Sequence, residues 1–246
     1  MKKALILAAA LWLAMFSAAA EPLAMQADLA DTVTTPIYAD RPEGPAYVYS
    51  YAYPQADPSD PSAELINTFY AYIVDDTRAF EIPMNVENWM KSGDEASHEA
   101  TVSYVITCNN DDFLSVLLKK EEDGFVNYSG HTFSRKNIKP GSSVALPYLL
   151  GILESGEKDT WLQDRQTAKA DALVRSMVWE MLPRLNVPLW EDLEEDMLEY
   201  IFFPEEDFYL DEDGNPVFYL EPGTAADPVW GLLTFPISIE AILEEM

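Results

Sequence analysis

Phe113-Leu-Ser-Val-Leu-Leu-Lys-Lys-Glu-Glu-Asp-Gly-Phe-Val-Asn-Tyr-Ser-Gly-His-Thr-Phe133 reads as two strands folded back on each other. Phe113 to Lys119 and Phe125 to Phe133 are rich in β-branched and aromatic residues, and Glu121-Glu-Asp-Gly124 between them supplies turn chemistry. So short a polar link can only join antiparallel neighbours. Upstream, Thr101 to Cys108 alternates, with Val102, Tyr104, Ile106 and Cys108 on one face, and Asn109-Asn-Asp-Asp112 separates it from Phe113. Downstream, beyond Pro140-Gly141, the apolar run Val144 to Leu150 reads as a fourth strand of the block.

Toward the N-terminus, Tyr47, Tyr49, Tyr51 and Tyr53 alternate with Val48, Ser50, Ala52 and Pro54, which is a strand with one tyrosine face. Such a face either stacks on a sugar or protein ligand or packs on a helix of its own fold, since each ring offers a large apolar area and a hydroxyl. The polar, Pro-rich Ala56 to Pro61 precedes a helix capped by Ser62 or Asp60, whose Ile66, Phe69, Tyr70, Ile73, Thr77 and Phe80 form a core-facing stripe. Gly93 to Glu99 is a polar turn, and Glu21 to Asp40 has no periodicity and reads as an irregular lead-in.

Beyond Thr160 the pattern is helical, with Leu173, Val174, Met177, Val178, Met181 and Leu182 on one broad face ahead of Pro183. A second, acidic helix is expected over Leu189 to Tyr200. Phe208-Tyr-Leu-Asp-Glu-Asp-Gly-Asn-Pro-Val-Phe-Tyr-Leu220 is a hairpin whose Asp-Gly-Asn tip tolerates positive φ, and Leu232 to Ile237 is a closing strand. The fold class that follows is α+β: antiparallel β-sheets covered by helices, in two small, intimately packed subdomains.

Little catalytic chemistry can be drawn from these residues. The chain has two histidines, His98 and His131, with no pair at helix spacing for zinc, and no Gly-x-Ser-x-Gly elbow. Asp211 to Asn215 opens like a calcium loop but lacks the carboxylate that would complete it. The single Cys108 excludes an intramolecular disulfide and reads as a small buried hydrophobe, and His131 as a strand-end residue with a local hydrogen bond. No cofactor and no metal is expected.

Lys2 and Lys3 precede the apolar run Ala4 to Phe16, and Ala18 and Ala20 then form an A-x-A site, the pattern of a secretory signal peptide over residues 1–20. The run is shorter than the roughly 20 residues that span a bilayer. Export to the periplasm or the extracellular space is expected, with no membrane span after cleavage. Losing Lys2 and Lys3 moves the formal charge from −28 to −30. This acidity disfavours nucleic acid and favours cationic partners, while 48% hydrophobic and 12% aromatic residues argue for a packed chain rather than a disordered one.

The order of the motifs carries a resemblance. The strand with central Ser115-Val116, Tyr128-Ser-Gly-His131, Arg135-Lys-Asn137, the turn Lys139-Pro-Gly141, the run Val144 to Leu150, the hairpin from Phe208 and Pro222 to Gly231 together resemble the RsiV-like bacterial extracytoplasmic domains. Those are built from a DUF4163 and a DUF3298 domain, which here implies subdomains at 37–145 and 146–246 after a lead-in at 21–36. The resemblance implies binding of a cationic, cell-wall-active protein such as lysozyme. The chain lacks the family's cytoplasmic anti-sigma segment, so signalling across a membrane is not implied.

The expected function is therefore that of an exported, non-enzymatic binding module. The alternatives are a peptidoglycan- or glycan-associated module and an uncharacterised hydrolase. The binding residues singled out are Tyr47, Tyr49, Tyr51 and Tyr53 as a stacking face, the strands Phe208 to Tyr219 as a second one, and Glu191, Asp192, Glu205, Glu206 and Asp207 as acidic contacts.

Overall fold

The computed structural model describes residues 22–36, 46–92, 98–136, 139–153 and 160–246. The signal peptide over 1–20, Glu21, the lead-in's end at Ile37 to Asp40, Gly93 to Ser97 of the expected turn, and Asn137 lie outside the described residues.

The first sheet contains β1 (Leu29–Pro36), β2 (Ala46–Tyr53), β3 (His98–Asn109), β4 (Phe113–Glu122) and β5 (Phe125–Ser134), in that spatial order. All neighbours are antiparallel except β2 and β3, which run parallel. A parallel pair needs a crossover, and helices α1 (Ala63–Asp76) and α2 (Ile82–Ser92) lie in that connection. The second sheet is β6 (Phe208–Leu210), β7 (Pro216–Leu220) and β8 (Leu233–Pro236), all antiparallel. The rest of its module comprises the single turn α3 (Leu146–Leu149), the long α4 (Thr160–Met181), the single turn α5 (Leu198–Ile201) and α6 (Ile239–Glu245).

The tyrosine face of β2 is internal. Tyr47, Tyr49, Tyr51 and Tyr53 are all buried, packed with Ile66, Tyr70 and Val74 of α1, and the Tyr53 and Tyr70 rings stack at 5.5 Å. This corrects the reading of the four tyrosines as a stacking surface for a ligand. Four adjacent rings left in water would forfeit the apolar burial that holds α1 to the sheet. Their hydroxyls are tied instead to the rim of this core: Tyr47 donates to Glu122 Oε1 at 2.7 Å, and Tyr51 accepts from Arg78 at 2.8 Å.

Several other expectations change for physical reasons. The N-cap position is Ser62, which makes no side-chain cap; Asp60 instead tightens the turn ahead of the helix, its Oδ1 accepting from the Ser62 N–H at 2.8 Å. Between α1 and α2 the chain widens into a π-turn, Thr77–Glu81, and the added residue per turn rotates Phe80 off the core stripe to 69% exposure. The lead-in is not irregular, because Leu29–Pro36 pairs along the whole of β2. Leu23 is also clamped to the end of β3, where it exchanges two hydrogen bonds with the Asn109 side chain.

Val144 to Leu150 is not a strand. The chain leaves β5 through a bridge between Phe133 and Ser143, and Pro147 then starts the single turn α3, where its missing N–H is no loss. Leu189 to Tyr200 is not one helix either. Leu189 bridges to Ala226, and only the 3-10 turn Glu195–Met197 and α5 are helical. A helix there would stack Glu191 on Glu195 and Asp192 on Asp196, like charges at i and i+4.

Two cores result. One lies between the first sheet and α1; the other gathers Ala170, Val174 and Val178 of α4 and Leu182 just beyond its end, spaced four apart, against Phe208, Phe218 and Phe235. Cys108 sits on β3 but belongs to the second core, because a bulge between Ile106 and Cys108 turns it across the junction. The two modules meet through buried polar contacts: the Ser115 and Thr132 hydroxyls lie 3.0 Å apart, and the Leu210 N–H donates to Ser115 Oγ at 2.9 Å.

Gly130 of β5 lies so close to β6 that a Cβ there would fall 1.8 Å from the Phe208 carbonyl oxygen. Gly130→Ala is therefore expected to lower stability by at least about 1–3 kcal/mol in urea unfolding, since backbone must move on one side. Burial pushes the Cys108 thiol up to about 11. Native protein should accordingly resist thiol reagents at pH 8 and react stoichiometrically once unfolded, as read by a chromogenic disulfide.

Candidate functional site

A cleft of about 430 Å³ opens where β5 meets the second module. Its floor is the β5 edge from Tyr128 to Thr132, one wall is Ser143 to Ala145, and the other is Glu205, Glu206, Asp207 and Tyr219. The acidic wall exists because Pro204 forces a tight turn ahead of β6. Glu206 and Asp207 each donate a backbone N–H to the Phe203 carbonyl, at 2.9 and 2.8 Å, and the Phe203 N–H returns a bond to Asp207 Oδ2 at 2.7 Å. Asp207 thus spends its carboxylate on the turn, and its pKa is raised, chiefly by burial. Glu205 and Glu206 remain exposed on the rim.

The outer edge of β5 is closed by side chains from the second sheet. Gly130 N–H donates to the Tyr219 hydroxyl at 3.0 Å, and Tyr128 N–H donates to Glu221 Oε1 at 2.8 Å. Glu221 Oε2 is enclosed with no hydrogen-bond partner among the described residues. Desolvation, with the charge of Asp207 adding to it, pushes the Glu221 carboxyl up to about 7.

Glu205 and Glu206 also border a second hollow of about 390 Å³, completed by Asp171, Arg175 and Phe203. Burial, then the charge of Glu205, raises Asp171 to about 6, although Arg175 opposes the shift. Arg175 Nε donates to the Phe202 carbonyl at 3.1 Å, and Asp171 Oδ1 is enclosed without a partner among the described residues. The two glutamates therefore form an acidic ridge between two hollows.

Of the residues singled out from sequence, Glu205, Glu206 and Asp207 come together here. Glu191 and Asp192 are exposed and line neither hollow. Tyr47 to Tyr53 lie in the first core, and Phe208, Phe218 and Tyr219 in or beside the second. Tyr219 reads from sequence only as part of a stacking strand, and Glu221 and Asp171 are not legible as site residues; the only trace of Asp171 in sequence is a carboxylate on the flank of an apolar stripe.

His131 borders the cleft but its ring is packed edge-on to Phe69 at 4.9 Å, and burial lowers its pKa to about 4. Among the described residues Nδ1 has no partner, and ring contacts hold the side chain in place of the expected local hydrogen bond. His98, at the far end of β3, pairs through Nδ1 with Asp123. Among the described residues no three His, Cys, Asp or Glu side chains are grouped to hold a metal, and no helix is long and apolar enough to cross a membrane.

No family model and no curated protein matches the sequence. Solved structures do match in fold. A DUF3298 family member from Bacteroides fragilis superposes with a TM-score of 0.56 at 13% identity, over 92% of this chain and 94% of that one. A DUF3298 family protein from Pseudomonas aeruginosa gives 0.52 at 12% identity, over 91% and 94%. The likeness extends along almost the whole chain and is one of fold.

Glu221 gives a pH dependence of known sign. Its folded pKa, about 7, lies above the ordinary 4.5, so its contribution to stability is complete below 4.5 and is lost as pH rises through 7. Glu221→Gln keeps an acceptor for Tyr128 and cannot ionise. At pH 8 the variant should exceed the wild type in urea stability by about 1–2 kcal/mol, after a discount for solvent screening, and the gap should close by pH 5.

Proposed function

We propose that this protein is a non-enzymatic binding module of the bacterial envelope, exported by its N-terminal leader, and that its acidic ridge receives a cationic segment of a partner protein. The observation that carries this reading is the ridge itself. Glu205 and Glu206 stand exposed between two hollows at the module junction, on a chain of formal charge −28. Lysine or arginine side chains entering either hollow would meet carboxylates whose ionised forms are under-compensated, and long-range attraction would speed the encounter.

The kinship in fold with DUF3298 proteins supports a divergent member of that group, and the motif order supports the RsiV-like arrangement with a DUF4163-like first module. A cationic lysozyme is the partner class this kinship favours. Catalysis is the weaker reading. His131 is held neutral among aromatic rings, and His98 is committed to Asp123 at a distance from the cleft. The glycan reading is the weaker for its proposed platforms, because the rings of Tyr47 to Tyr53 and of Phe208, Phe218 and Tyr219 are inside and only Tyr209 is half-exposed.

Association with a cationic lysozyme, followed on a biosensor across ionic strength, tests the proposal. Glu205→Lys with Glu206→Lys should slow association about tenfold at low salt and flatten its salt dependence. His98→Ala with His131→Phe, which keeps the contact on Phe69, should leave it unchanged. Sedimentation with peptidoglycan but not lysozyme would favour the glycan module, and hydrolysis lost in the histidine variant would favour an enzyme.

A further inference from the structure

At the other side of the molecule, strand β1 is the outermost strand of the first sheet, and among the described residues nothing pairs with its outer edge. Protein edges are ordinarily blunted by a bulge, a lysine or an internal proline. β1 has none of these: it runs in unbroken register with β2 from Leu29 to Thr35, with a proline only at its last position, Pro36. The one guard is Asp31, whose Oδ1 accepts from the Thr32 N–H at 2.8 Å while Oδ2 is held by Arg78 at 2.6 Å.

Beside this edge runs a groove of about 560 Å³ between β1 and α2. Val33 and Thr35 form its strand wall, and Ile82, Val86 and Met90 its helix wall. Ile82, Val86 and Met90 recur every four residues, so α2 turns a continuous apolar stripe along the groove, and Met90 is left 45% exposed. An open strand edge with an apolar channel between it and a helix is the geometry that strand addition uses: backbone bonds supply affinity, and alternate side chains enter the channel.

We propose that β1 and this groove form a strand-addition site, which takes an extended, uncharged or cationic peptide segment of a partner protein as an added strand, with its alternate apolar side chains seated between Val33 and Met90. Charge decides the occupant. A second copy would bring together two chains of formal charge −28, and its own β1 would set the carboxylate of Asp31, between Leu29 and Val33, into the apolar groove. Asp28, exposed just ahead of β1, favours a cationic end on the incoming strand. The site uses none of the ridge residues, so the two readings stand or fall separately.

The test uses a fluorescent peptide, Lys-Lys-Val-Thr-Val-Thr-Val-Lys, titrated into the full chain by anisotropy, with backbone amide exchange read at Thr32 and Thr34. Saturable binding is expected, with slowed exchange at both amides. A peptide N-methylated at alternate positions should bind at least about tenfold more weakly, as should the Met90→Glu chain. Should Met90→Glu fail to fold, Val33→Thr serves as the milder variant. Glu205→Lys with Glu206→Lys should leave this affinity within about twofold at physiological salt, where charges beyond about 8 Å are screened. The proposal is overturned by absence of saturable binding up to about 1 mM, by full affinity of the N-methylated peptide, by loss of binding in the ridge variant alone, or by a dimer in which Thr32 is already protected.

Discussion

The outer edge of β5 is satisfied by side chains of the second module, and the arrangement of the two modules depends on how that is done. Its backbone N–H groups at Tyr128 and Gly130 meet a carboxylate and a phenol from the second sheet, Glu221 and Tyr219, rather than another strand. Gly130 makes this possible, since a side chain there would occupy the position of the Phe208 carbonyl. Buried donors left without acceptors would cost about 1–3 kcal/mol each, so the second sheet is held at this distance and angle as much by polar accounting as by apolar contact. The buried Ser115, Thr132 and Leu210 contacts extend the same polar seam inward.

The junction is also where the acidity of the chain is concentrated at close range. Glu221, Asp207 and Asp171 all hold raised pKa values through burial, beside the exposed Glu205 and Glu206. In the first module the balance is different: Lys120, also partly buried, bridges Glu81 and Glu122, and its pKa is raised by those partners against desolvation. Charge is thus compensated around the tyrosine core and left under-compensated at the seam. That contrast, more than net charge, is what the proposed reading of the seam as a cation-binding ridge rests on.

The first module illustrates how a helix register can be set by one local irregularity. Its helical connection must cross from β2 to a parallel β3, and it does so as α1 and α2 joined through a π-turn. The turn keeps Thr77 buried, frees Phe80 to solvent, and starts a new stripe at Ile82. That stripe starts in the core at Ile82 and runs out along the groove beside β1 to the exposed Met90.

The sequence by itself determined the local elements: β2 to β5 by alternation and turn residues, α1 and the long α4 by their apolar stripes, and the β6–β7 hairpin by its Asp-Gly-Asn tip. It also marked Glu205 to Asp207 as an acidic turn behind Pro204. These features follow from backbone preference and periodicity, which act within a few residues. Tertiary structure alone decided that β1 is a strand, since Ala-Asp-Thr-Val-Thr-Thr has no strong pattern until β2 pairs with it. It decided that the tyrosine face is internal, that Leu189 pairs with Ala226 where the sequence predicts a helix to begin, and that Cys108 crosses into the second core. The ridge gains its neighbours in the same way: Glu221 reaches Tyr128 from 93 residues away, and Asp171 reaches Glu205 from a different element. Burial and hydrogen-bond partnership at such separations depend on which surfaces the modules present to each other, and no local pattern carries that information.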